Sequence, residues 1–93
     1  MALRVELTPA AARQLRRLRD ADVLALRGVI LALGEEPHPV GSGKLTGSEL
    51  WRVRVRIDGV PWRVVYEIRG TEGVVVVARV ARRDEATYRQ LKG

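Results

Sequence analysis

At 93 residues the chain is long enough for one modest hydrophobic core and too short for two domains. Hydrophobic residues at 46% exclude a disordered chain, and the lack of cysteine excludes a disulfide framework, thiolate chemistry and a cysteine-based zinc site. The net charge of +6 is uneven: residues 1–50 hold 7 basic and 6 acidic side chains, whereas 51–93 hold 10 and 5, and 15 of the 17 basic residues are arginine. Arginine suits bidentate contact with phosphate, so an anionic partner for the C-terminal half is expected.

Leu3, Val5 and Leu7 alternate with Arg4 and Glu6, which predicts a short first strand rather than the apolar block of a signal peptide. No run is apolar enough to cross a membrane, and without cysteine a reducing, cytoplasmic location with no membrane partner is expected. Thr8-Pro9 reads as an N-cap and first helical residue. Ala12, Leu15 and Leu18 then form an apolar stripe on a helix ending near Arg19, with Arg13, Arg16, Arg17 and Arg19 as its solvated face. Asp20 or Asp22 is expected to cap a second short helix carrying Val23, Leu26, Ile30 and Leu33, with Gly34 as its stop. The two helices make a hairpin that can cover a sheet face.

Residues 34–47, rich in glycine and proline, read as a loop. Gly41-Ser42-Gly43-Lys44 is not a phosphate loop, because the earlier glycine and the hydroxyl residue after the lysine are both missing. His38 reads as a surface residue, and no metal site or cofactor is expected. Leu50 to Tyr66 is the most informative stretch. Trp51, Val53, Val55 and Ile57 alternate with Arg52, Arg54 and Arg56, giving a half-buried strand with a cationic face. After a turn written Asp58-Gly59-Val60-Pro61, Trp62, Val64, Tyr66 and Ile68 share one face of the next strand and Arg63, Val65 and Glu67 the other. Each arginine alone is explained as a solvated outer-face residue, but lined-up guanidiniums repel unless an anion joins them. Arg69 to Gly73 reads as another turn, and Val74 to Val80, interrupted by Arg79, as a strand covered on much of both faces. Arg82, Arg83 and Tyr88 follow in a short stretch expected as a tail or a final helical turn. The fold class is α+β: an N-terminal strand, a helical hairpin and three antiparallel strands in one sheet with the helices on one face.

This order resembles the RelE/ParE toxin superfamily of bacterial toxin–antitoxin modules over nearly the whole chain, as a single domain. The resemblance is carried by Leu33 followed by Pro37, by Lys44-Leu45-Thr46-Gly47, by Trp51-Arg52-Val53-Arg54-Val55, by Trp62-Arg63-Val64-Val65-Tyr66, and by the valine-rich strand leading to Arg83 and Tyr88. It implies an antitoxin partner in a hetero-oligomer and, in the RelE branch, cleavage of ribosome-bound messenger RNA without metal or cofactor, by attack of a ribose 2′-oxygen on the adjacent phosphate. The catalytic set carried over is Arg54, Arg63, Arg83 and Tyr88, with Arg82 the alternative to Arg83. Arg52, Arg56, Arg82 and Lys44 would contact RNA. Glu49 and Glu67 are the nearest carboxylates, and read respectively as a turn residue and a cross-strand ion-pair partner. The ParE branch implies a different activity on the same fold, inhibition of DNA gyrase; a non-catalytic nucleic-acid-binding module is the third reading.

Overall fold

The computed structural model describes residues 2–82. Strand β1 (Arg4–Leu7) leads into helix α1 (Pro9–Arg16), helix α2 (Asp20–Glu35), strand β2 (Ser42–Lys44), the hairpin β3 (Leu50–Ile57) and β4 (Val60–Arg69), a 3₁₀ turn at Gly70–Glu72, and strand β5 (Val74–Arg82). The strands form one sheet in the order β1-β5-β4-β3-β2. Both helices pack on one face of it. Ala11 of α1 and Leu26, Ile30 and Leu33 of α2 bury against Val53, Trp62, Val64, Tyr66, Val75, Val77 and Val80.

The α+β architecture is as expected, with two additions to the sheet. β1 pairs with β5 in parallel, Leu7 opposite Val77, so the sheet is mixed. Because the helical hairpin intervenes between β1 and the later strands, the chain returns along the sheet instead of turning back on itself. The second addition is β2, which lies inside the stretch 34–47 expected to be loop; Gly43 pairs with Arg52 and Lys44 with Trp51 along the sheet edge.

Local chemistry explains the element ends. Thr8 Oγ1 accepts from Ala11 N at 3.2 Å, the expected N-cap, and also donates to Ala78 O at 3.1 Å. It thereby ties α1 to β5 just where β1 ends; Gln14 continues the tie, its Oε1 accepting from Val80 N at 2.7 Å. α1 stops at Arg16, short of Arg19. Arg19, not either aspartate, is the N-cap of α2, and it contributes no capping side chain. Asp20 and Asp22 instead sit in the first turn, where their charge complements the helix dipole, and Asp22 accepts from Arg19 at 3.3 Å.

Gly34 lies inside α2 rather than ending it. Its role is close approach: Leu3 N donates to Gly34 O at 2.7 Å, and a Cβ on Gly34 would stand 2.5 Å from Leu3 O. The β3–β4 turn is also tighter than the four residues expected. Asp58 and Gly59 alone make it, both with positive φ (50° and 79°), the signature of a two-residue type I′ hairpin. Val60 and Pro61 already belong to β4.

Candidate nucleic-acid interface on the open sheet face

The hairpin register fixes which arginines meet. Arg54 stands directly opposite Arg63, whose neighbour on β5 is Ala81; one row along, Arg52 stands opposite Val65, whose neighbour on β5 is Arg79. Cross-strand partners share a face, and the face opposite to Trp62, Val64 and Tyr66 is the one the helices leave uncovered. The structure therefore brings together Arg52, Arg54, Arg63 and Arg79 on the open side of the sheet. Arg63 is only 6% exposed, while Arg54 projects into solvent.

Arg79 is the residue that sequence reasoning missed. Counting alternately from Val75 and Val77 puts Arg79 on the helix side. A β-bulge between β4 and β5 breaks that alternation: Tyr66 pairs with Val77 but Val65 with Arg79, so Ala78 is the extra residue. The bulge turns Arg79 to the open face, as bulges re-aim side chains. A charge interrupting an otherwise all-valine strand was the available signal. Arg82, two residues beyond Val80, faces the other way: it pairs with Trp62, and its guanidinium carbon lies 5.8 Å from the centre of that indole ring. Arg83 and Tyr88 lie outside the described residues.

The remaining basic residues are held by local contacts. Arg52 is laid across β2, its Nη1 donating to Gly41 O at 3.2 Å, and Gly43 makes room: a Cβ there would stand 2.8 Å from the same nitrogen. Arg56 Nη1 donates to Gly59 O at 3.2 Å and braces the hairpin turn. Lys44, on the edge strand, pairs with Glu49 at 3.7 Å. Glu67 pairs with Arg69 along its own strand instead of across strands. It is four residues from Arg63, roughly 13 Å of strand, and Glu49 is tied to the exposed loop. Among the described strand positions, the Arg54–Arg63–Ala81 and Arg52–Val65–Arg79 rows hold no Asp or Glu.

Beside these rows the loop before β3 forms the wall of a groove of about 350 Å³, lined by Leu45, Thr46, Ser48, Leu50, Val65, Ala78 and Arg79. Its apolar floor and cationic rim are adjacent to the arginine pair.

The described aromatic rings of Trp51, Trp62 and Tyr66 lie on the opposite face. Tyr66 is fully buried and donates its hydroxyl to Pro37 O at 2.7 Å. Burial raises its pKa above the usual tyrosine value, Ser42 and Arg52 oppose that shift, and Glu36 adds to it. The half-buried Trp51 packs against the core, with the His38 ring edge-on at 4.5 Å. His38 thus has a packing contact on the face away from the arginines. Among the described residues no group of three or more His, Cys, Asp or Glu side chains could hold a metal, and no helix is long and apolar enough to cross a membrane.

The molecule is thus a five-stranded sheet backed by a helical hairpin on one face and carrying four arginines on the other, where Arg63 and Val65 are buried. The family of ParE toxins of type II toxin–antitoxin systems matches residues 5–87, and the chain belongs to it. The structure is similar to a chain of the RelBE2 toxin–antitoxin complex of Mycobacterium tuberculosis, at TM-score 0.77 and 23% identity over 89% of this chain and 100% of that one. It is also similar to a chain of the intact Escherichia coli RelBE complex, at TM-score 0.74 and 22% identity over 90% and 100% of the two chains. A YoeB/ParE toxin from Agrobacterium tumefaciens matches at TM-score 0.70 and 17% identity, over 88% and 100%. No curated protein matches by sequence. At these identities the solved structures establish the fold.

Proposed function

We propose that this toxin cleaves messenger RNA on the ribosome and is held inactive by a cognate antitoxin that covers its basic face. What supports the reading is the placement of Arg52, Arg54, Arg63 and Arg79 together on one sheet face, with Arg54 directly opposite Arg63. Guanidiniums gathered on one face can offer a phosphate several charge-assisted hydrogen bonds at once. In the reaction the 2′-oxygen forms a bond to phosphorus, the bond from phosphorus to the 5′-oxygen breaks, and a 2′,3′-cyclic phosphate and a 5′-hydroxyl result. Arg54 and Arg63 stabilise the extra negative charge of the five-coordinate phosphorus, and Arg79 and Arg52 hold the neighbouring backbone. A guanidinium keeps its proton at any physiological pH, so removal of the 2′ proton and protonation of the 5′-oxygen fall to other groups. Tyr88 is the proposed participant, with Arg83 completing the phosphate clamp; Lys44, Arg56 and Arg82 contribute outer charge for RNA.

The family's ParE membership favours a second reading, inhibition of DNA gyrase through protein contact, which needs no phosphate clamp. Two assays on one preparation separate them. Cuts in ribosome-bound message with unimpaired gyrase supercoiling are expected; intact message with blocked supercoiling would reverse the assignment.

A further inference from the structure

The β-bulge that turns Arg79 to the open face is tied down from α1. In a regular strand successive carbonyls point to opposite sides, so a neighbour on one side meets every second one. Val77 O and Ala78 O depart from that: both accept from Thr8, from its N–H at 2.9 Å and from its Oγ1 at 3.1 Å. The reversal therefore falls at Ala78. Two residues on, Gln14 Oε1 accepts from Val80 N at 2.7 Å. β1 ends at Leu7, opposite Val77, so beyond that pair Thr8 and the side chain of Gln14 take the place along β5 that a strand would fill. As an N-cap Thr8 needs only to accept, which it does from Ala11 N. Its donation to Ala78 O is a second use of the same hydroxyl, and capping does not explain it.

We propose that Thr8 and Gln14 are positioning residues that set the aim of Arg79, from a helix that lies across the sheet from the arginine rows. What Arg79 is aimed at rests on the cleavage reading above. Burial requires that Val77 and Val80, both in the core, face the helices. Two residues stand between them, one more than alternation allows, and burial is satisfied whichever of Ala78 and Arg79 is the extra one. Only with Ala78 extra does Arg79 stand in register with Val65 and Arg52, one row from the Arg54–Arg63 pair. That places four guanidiniums on two adjacent rows, about 7 Å apart along the strands. With Arg79 extra, its side chain would leave the row, and Arg52, held to Gly41 O, would be the guanidinium remaining there. The Thr8 hydroxyl decides between the two, because it gives Ala78 O a donor only in the first. Gln14 fixes the strand again directly after Arg79.

The test uses Thr8→Asp, which keeps the capping acceptor but has no proton to donate to Ala78 O, combined with Gln14→Met, beside the conservative Thr8→Ser and Gln14→Glu. NMR reads the register directly: Val65 should face Arg79 in the wild type, Thr8→Ser and Gln14→Glu, and should divide its cross-strand contacts between Ala78 and Arg79 in the folded chain carrying both Thr8→Asp and Gln14→Met. In cleavage of ribosome-bound message the same double variant should lose activity by the factor that Arg79→Ala loses, and in the Arg79→Ala background it should cost less than about twofold more. Thr8→Ser and Gln14→Glu should cleave as the wild type does. An unchanged Val65–Arg79 register in the double variant would overturn the proposal, as would a cleavage loss that adds in full to that of Arg79→Ala. A wild type that folds and leaves the message whole would overturn the nuclease reading instead, and the register measurement would still decide what Thr8 and Gln14 hold.

Discussion

Two glycines of α2 make opposite predictions from one substitution. Glycine inside a helix costs about 0.8–1 kcal/mol relative to alanine, so Gly28→Ala, with open space around its new methyl group, should stabilise the fold by about that amount. At Gly34 the same intrinsic gain meets a backbone oxygen, Leu3 O, at 2.5 Å, and Val5 Cγ2 at 3.0 Å. The backbone oxygen cannot rotate away, so β1 must move. Overpacking of this kind costs about 1–3 kcal/mol, and displacing the Leu3 N to Gly34 O bond removes about 1 kcal/mol more. Set against the helix gain, Gly34→Ala should destabilise by about 1–3 kcal/mol. For a domain of this size each kcal/mol moves the melting temperature by about 4–8 °C. Thermal unfolding reads both variants against the wild type: Gly28→Ala should melt several degrees higher and Gly34→Ala several to about twenty degrees lower, on the order of the same scaling. If Gly34→Ala melts at or above the wild type, the close approach of β1 to α2 is not what that glycine is for.

Thr8→Ala removes the N-cap of α1 and its tie to Ala78 O, and should cost about 1–2 kcal/mol in urea unfolding. Tyr66→Phe removes the hydroxyl bond to Pro37 O and should cost about 1 kcal/mol. The pH dependence of that residue has a fixed sign. The folded-state pKa of Tyr66 is raised, so above about pH 10 the unfolded chain loses its proton first, and stability falls as pH climbs from there through the folded value. The Phe variant should lack that part of the alkaline loss, which unfolding midpoints on either side of pH 10 measure. Arg54→Ala, at an exposed position with no ion pair among the described residues, should leave stability within about 0.5 kcal/mol and still reduce RNA cleavage.

The hairpin was legible because its two strands alternate without a fault and Asp-Gly is a strong local turn signal; from that alternation the arginine face follows. Thr8-Pro9 was legible for a similar reason, since capping is chemistry between neighbours. What escaped was set by distant parts of the chain. β2 is three residues of Ser-Gly-Lys with no pattern of its own, and it is a strand because β3 offers it an edge. Gly34 looked like a helix stop because the strand that presses on it, β1, is some thirty residues earlier. Arg79 had no face in the sequence reading, and strict alternation would have given the wrong one, since one extra residue in the bulge inverts everything after it. Thus the cationic face was half visible: its β3 and β4 members were read from the sequence, and its β5 member needed the fold.

The most direct test of the account is primer-extension mapping of message in a purified translation system, with wild type beside Arg54→Ala, Arg63→Ala, Arg79→Ala, Arg83→Ala and Tyr88→Ala, each checked for folding. Cuts confined to the ribosome's decoding site, absent without ribosomes, should fall at least tenfold for Arg54→Ala and Arg63→Ala and less for Arg79→Ala. Cleavage that persists undiminished when both members of the facing pair are replaced would contradict the assignment of the phosphate to that pair; folded wild-type protein that leaves the message whole would contradict the nuclease itself.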